Sequence, residues 1–317
     1  MSRSIAVFLT ALLVSTAFAQ TYPSRPIRFI VPYPAGGTTD IVARTLSAAI
    51  TGSLGQPVVV ENRAGAGGTI GTAEAARAAP DGYTAAVVFD NHAVNPYLFK
   101  NLPYDTFKAF EPVSLMVQSP LLLVGAMNFP PSSVRELADY AKANKGKVAY
   151  GSTGAGNSSH LASLLLAQRE GFDAIHVPYK GGGPLTNDLL GGQVNFAFAS
   201  LPLFVAHVKG GKLKALAVAG RERAPQLPQV PTVAETLAGF EAQSWVGMLL
   251  PAGTPNAVVA RLSREVGVAL QRADLKERLA GQGFIVVASG PEPFGTYLRS
   301  ESEKWGKLIR DLNVTVD

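Results

Sequence analysis

The feature that most constrains this chain is an alternation of short apolar runs and helix-patterned segments, which begins at Ile27 and continues almost to the end. Ile27-Arg28-Phe29-Ile30-Val31-Pro32 reads as a strand. Thr39 to Thr51 reads as a helix with Ile41, Val42, Leu46 and Ile50 on one side, and Val58 to Asn62 as a second strand. An Ala-rich helix from Thr69 to Ala79, a turn at Pro80-Asp81-Gly82-Tyr83 and a strand from Thr84 to Phe89 complete a βαβαβ order. That order predicts an α/β fold whose sheet is mainly parallel and flanked by helices.

The pattern restarts after an interruption. Pro103 to Pro112 is an irregular, aromatic-rich connection, and Val113 to Met127 is a long apolar strand region. A helix from Ser132 to Asn144 opens with N-capping serines and carries Glu136 early. Strands at Val148 to Gly151, Ile175 to Pro178, Val194 to Ala199 and Ala215 to Ala219 then alternate with helices at Asn157 to Glu170, Pro184 to Leu190 and Pro202 to Val208. Phe240 to Leu250 is a second extended stretch. An amphipathic helix from Ala257 to Arg272, a short helix at Leu275 to Ala280 and a last helix from Pro293 to Leu312 follow it. A chain of 317 residues suits two such lobes. The two extended stretches are the expected crossings between them. Residues 20–123 plus 243–317 are then one lobe and 124–242 the other, with Gly125 and Gly247 as candidate hinge points.

The first residues read as an export signal. Arg3 supplies a positive start, Ile5 to Val14 an apolar run too short to span a bilayer, and Ala17-Phe18-Ala19 a cleavage site. Residues 1–19 are therefore expected to be removed after Ala19, in a periplasmic protein. Cysteine is absent, which excludes disulfides, thiolate metal sites and a lipid-anchored cysteine. Net charge is +5, but the basic residues are scattered rather than gathered in a stripe, so no nucleic-acid partner is expected.

Three strand-to-helix loops carry the chemistry. Ligands of open α/β sheets bind beyond the carboxyl ends of the strands. The first loop is Pro32-Tyr33-Pro34-Ala35-Gly36-Gly37-Thr38-Thr39-Asp40. Its small residues expose backbone N–H groups at a helix N-terminus, where the dipole favours an anion. The competing reading is a tight turn capped by Thr or Asp. The second loop, Gly151-Ser152-Thr153-Gly154-Ala155-Gly156-Asn157-Ser158-Ser159-His160, offers amides, hydroxyls and a side-chain amide. The third is Val177-Pro178-Tyr179-Lys180-Gly181-Gly182-Gly183. Such loops facing one cleft from opposite lobes make an anion clamp. The candidate ligand-binding residues are Tyr33, Ala35, Gly36, Gly37, Thr38, Thr39, Asn91, Ser152, Thr153, Gly154, Asn157, Ser158, His160, Lys180 and Ser200. Lys180 is the weaker donor, and His160 is equally well explained as a cap.

Enzyme templates fail on this sequence. The run Gly65-Ala66-Gly67-Gly68-Thr69-Ile70-Gly71 lacks dinucleotide spacing, and Asp90 and Asn91 come closest to a ribose-binding acid after the next strand. There is no phosphate-binding G-x-x-x-x-G-K-[ST] and no G-x-S-x-G. His92, His160, His176 and His207 lack metal-ligand spacing. No catalytic residue, metal or cofactor is expected. The alternative reading is an exported enzyme acting on a small carboxylate in the same cleft.

Taken together these stretches resemble the Bug (TctC-like) family, the extracytoplasmic receptors of tripartite tricarboxylate transporters. The matching runs include Val31-Pro32 with Ala35-Gly36-Gly37 and Asp40, Gly55-Gln56-Pro57-Val58-Val59-Val60-Glu61-Asn62-Arg63, and Ala79-Pro80-Asp81-Gly82-Tyr83. Leu102-Pro103-Tyr104-Asp105, His176-Val177-Pro178-Tyr179-Lys180-Gly181 and Pro251-Ala252-Gly253-Thr254-Pro255 continue the match in order. The resemblance implies a two-lobe Venus-flytrap fold and a carboxylated metabolite held between the Ala35–Thr39 and Ser152–Ser158 loops. It also implies delivery to the membrane permease subunits of a tripartite transporter, with the receptor as a monomer. Two departures stand out. Tyr33-Pro34 replaces the family's frequent Phe and small residue, and Ala199-Ser200 stands where many members resemble Asp-Asn. The second puts an amino-acid ligand in doubt.

Overall fold

The computed structural model describes residues 22–316. The expected leader and its cleavage site lie outside the described residues. The first unit comprises β1 (Ile27–Val31), α1 (Thr38–Leu54), β2 (Val58–Asn62), α2 (Thr69–Ala76), β3 (Thr84–Phe89) and the single turn α3 (Asn95–Leu98). The long strand β4 (Phe110–Ala126) leads out of it. The second unit runs through α4 (Val134–Ala143), β5 (Ala149–Ser152), α5 (Ser158–Glu170), β6 (Ile175–Pro178), α6 (Gly182–Leu190), β7 (Phe196–Ser200), α7 (Leu201–Lys209) and β8 (Leu213–Val218). The chain returns on β9 (Gln243–Pro251) and ends with α8 (Asn256–Gln271), α9 (Ala273–Gln282), the two-residue β10 (Ile285–Val286) and α10 (Pro291–Asp311).

The sheets are mixed. β2-β1-β3 and β6-β5-β7 are the parallel βαβ cores read from the sequence. The strands that join them, β9, β4, β8 and β10, all pair antiparallel. β4 carries the connection. Its Phe110–Pro120 part lies against β9, and from Leu121 onward it lies against β7 and β8. It is almost wholly buried along its length, as expected of a strand packed on both sides.

Helix ends follow local chemistry. Ser133 caps α4 by accepting the Glu136 N–H, while the Glu136 carboxylate accepts the Ser132 N–H at 2.8 Å. Asn157 caps α5.

The two expected hinge glycines have a different role. Both lie inside paired strands. A Cβ on Gly247 would sit 2.2 Å from the Phe294 ring, and one on Gly125 would press on Leu216 and Phe129. They are glycines because neighbours pack where a side chain would be. Gly247→Ala is expected to destabilise the protein by about 1–3 kcal/mol through overpacking, read as a lower denaturant midpoint at unchanged slope.

Candidate ligand-binding site

The first loop is built to present backbone N–H groups. Gly36 adopts φ +78°, a left-handed turn open to glycine. Its N–H donates to the Asp40 carboxylate at 2.9 Å, which also accepts from Arg44 Nε and from Asn62 Nδ2. Burial alone would raise the Asp40 pKa. The hydrogen bonds from Arg44, Gly36 and Asn62 outweigh it and hold the carboxyl below its usual range. Asp40 is therefore a charged clip behind the loop. The first intrahelical bond of α1 is made by the Ile41 N–H to Gly37 O. The N–H groups of Thr38, Thr39 and Asp40 precede it, so none has a helical acceptor. Thr38 and Thr39 make no side-chain hydrogen bond among the described residues.

Tyr33 and Asn91 are brought together, but on each other. The Tyr33 hydroxyl donates to Asn91 Oδ1 at 2.5 Å and accepts the Phe89 N–H at 3.2 Å. Asn91 Nδ2 in turn donates to Gly67 O. This chain ties three strand-end loops into one rim and uses the polar atoms of both side chains. Ala35 is exposed on the rim.

The second loop is a closed hydrogen-bond ladder. Asn157 Oδ1 accepts from the His160 N–H and the Ser159 hydroxyl, and Asn157 Nδ2 donates to Thr153 Oγ1 at 2.6 Å. The Thr153 N–H donates to Ser159 Oγ. Ser152 is fully buried, its hydroxyl 3.0 Å from Gly154 O and 2.7 Å from His176 Nε2. The imidazoles of His160 and His176 stack face to face with centroids 3.8 Å apart. His160 Nδ1 accepts the Gly156 N–H. Burial, with His176 alongside, pushes the His160 pKa down to about 3, and burial pushes His176 down to about 4. Both rings are thus neutral acceptors or single donors that shape the loop.

Asp90, immediately after β3, is the residue whose role the sequence does not show: it stands out there only as a near-match to a ribose-binding acid. Its carboxylate reaches α5, accepting from the Ser158 hydroxyl at 2.6 Å and from the Ser158 N–H at 3.2 Å. It is 6% exposed, and burial pushes its pKa up to about 7 against the pull of the Ser158 hydrogen bonds. The near-match reflects its position at the carboxyl end of a strand.

The third loop faces the first. The Gly181 N–H donates to Thr153 O, and a Cβ on Gly181 would be 3.8 Å from Pro34. Lys180 is exposed and makes no ion pair among the described residues. Ser200 lies apart, with its hydroxyl 2.8 Å from that of Ser244 where β4 changes partners. A surface groove of about 500 Å³ bordered by Glu111, Asn256, Glu292 and Arg299 lies between α8 and α10 and shares no residue with the loops.

Two α/β units joined by long strands, with glycine-rich loops facing each other, define the two-lobe class of periplasmic binding proteins. The chain superposes on the periplasmic binding protein BugD with a TM-score of 0.87 and 38% identity, over 92% of this chain and 99% of that one. MatC of Rhodopseudomonas palustris, solved with bound malate, gives a TM-score of 0.85 and 35% identity, over 91% and 100% of the two chains. BugT of Bordetella pertussis is 38% identical over 97% of this chain and 95% of that protein. Residues 42–314 match the tripartite tricarboxylate transporter family receptor, TctC, and the chain belongs to that family. It is a solute-binding receptor.

Proposed function

We infer that the receptor captures a small carboxylate between the first loop and the facing Thr153 and Gly181 loops. It hands that ligand to the permease subunits of a tripartite transporter. The observation that carries this is the start of α1, where the N–H groups of Thr38, Thr39 and Asp40 have no helical acceptor and the Asp40 carboxylate is paired with Arg44. A helix of this length supplies positive potential at that point without a cation. The malate in MatC supports a carboxylate. We assign the lobes to residues 20–123 plus 243–317 and 124–242, and take the receptor to be an exported monomer whose leader ends at Ala19.

One feature favours a second reading. Ser152 and His176 stand at the 2.7 Å separation of a nucleophile and its base. Ser152 is fully buried, however, and no carboxylate hydrogen-bonds His176 among the described residues, so the orienting third group is missing.

Calorimetry with a panel of carboxylates, followed by mass analysis of the recovered ligand, separates the readings. The expected result is saturable binding with the ligand unchanged and a smaller radius of gyration in solution scattering. Turnover into a new product supports the enzyme instead.

A further inference from the structure

We propose that Asp90 is a specificity-determining residue that restricts the cleft to ligands carrying negative charge at one end only, so that this receptor takes monocarboxylates in preference to dicarboxylates. The inference rests on the carboxylate reading above and narrows its ligand class.

The two sides of the cleft are unequal. On the α1 side the N–H groups of Thr38 to Asp40 have no helical acceptor, and the Asp40 charge is answered by Arg44 behind the loop. On the α5 side the protein supplies its own anion. Asp90 takes both the N–H and the hydroxyl of Ser158, and the Asn157 side chain takes the N–H of His160. The Leu161 N–H already bonds Asn157 O. Most of the donors a second ligand carboxylate would use are therefore occupied.

The charge balance points the same way. No lysine or arginine pairs with Asp90 among the described residues, and Lys180 stands exposed on the third loop. Above about pH 7, where Asp90 is ionised, the positive end of the α5 dipole is already matched by one carboxylate, so another placed beside it meets a buried like charge in a medium that screens poorly. A neutral, apolar or hydroxylated far end meets no such repulsion, and the Thr153 hydroxyl at the half-buried lip can accept or donate to it.

The test pairs ligands of matched length in calorimetry: butanoate against succinate, hexanoate against adipate, and benzoate against terephthalate. Each is run at pH 8, where Asp90 is ionised, on the native protein and on Asp90→Asn, which keeps one acceptor for the Ser158 N–H and one donor for its hydroxyl. For at least one pair the monoacid should bind the native protein tenfold or more tightly than the diacid. In Asp90→Asn that ratio should fall below about threefold, mainly by a gain for the diacid. Asp90→Ser, checked for folding by its melting curve, should shift the ratio in the same direction. Tighter binding of the diacid to the native protein, or a ratio unchanged in both variants, overturns the proposal and leaves the carboxylate reading standing. Binding of neither acid in any pair overturns the carboxylate reading and this inference with it.

Discussion

Between about pH 8 and pH 4 the Asp90→Asn variant should lose about 4 kcal/mol more stability than the native protein. The loss common to both proteins comes from buried imidazoles, of which His92 and His160 are the most deeply buried. Burial pushes His92 from 6.5 down to about 4, and burial with the adjacent His176 pushes His160 from 6.5 down to about 3. Above 6.5 both are neutral whether folded or not. Below it the unfolded chain takes protons that the folded protein refuses, so stability falls with pH until the folded values are passed. Each ring contributes about 3 kcal/mol by pH 4. Asp90 has the opposite sign. Its pKa rises from 3.8 to about 7 on folding, so burying its charge weighs on the fold above that value. Protonation relieves the burden as the pH falls, returning about 4 kcal/mol. Asparagine carries no such burden, so the variant should be the more stable protein at pH 8 and lose that lead by pH 4. Urea titrations at a series of pH values read this directly. Parallel pH profiles for the two proteins would show that the Asp90 carboxyl does not carry a buried charge.

The second large effect is expected at Gly156, where the second loop meets α3. A Cβ there would lie 2.0 Å from Leu98 Cδ1, and the residue has φ +78°. Gly156→Ala therefore combines backbone strain of about 1–2 kcal/mol with a collision against a buried leucine from the other unit. The collision can be relieved by moving the units apart, so carboxylate affinity should fall at least tenfold and ligand-induced compaction should shrink. Leu98→Ala in the same chain should restore compaction while leaving the backbone strain in the melting temperature. Full affinity and full compaction in Gly156→Ala would show that Leu98 yields and that the contact does not govern closure.

How much of this was legible follows from what encodes each part. The parallel strands and their helices announce themselves locally: Ile27–Val31 and Thr38–Leu54 carry their periodicities within a dozen residues. Glycine-rich loops at strand ends were therefore located, and the Gly36, Ser152 and Gly181 loops do lie at the ends of β1, β5 and β6. The two-residue β10 and the four-residue α3 are too short for any period to show. The antiparallel placement of β4 and β9 depends on which edges are free once the parallel cores have formed. Side-chain partners were the least legible. Tyr33 finds Asn91 across 58 residues and Asp90 finds Ser158 across 68, and neither pairing leaves a trace in local spacing. Asn157 and Ser158 stand out in the sequence at the start of a helix, while the groups that occupy their hydrogen bonds are seen only in three dimensions.

The point where β4 changes partners has a mechanical consequence. Three buried serines meet there: Ser200 and Ser244 share a contact of 2.8 Å, Ser244 approaches Ser119 O, and the Ser119 hydroxyl reaches Gly283 O at 3.1 Å. A hydroxyl proton turns about its C–O bond, and its oxygen both gives and accepts. When the strands twist past one another, each serine can change acceptor in step, so no polar atom is stranded halfway. If the two units turn about this junction when ligand binds, it is expected to behave as a bearing running on rotating protons. Ser244→Ala would remove the rotor without adding bulk, and the protein is expected to fold but to close on ligand more slowly.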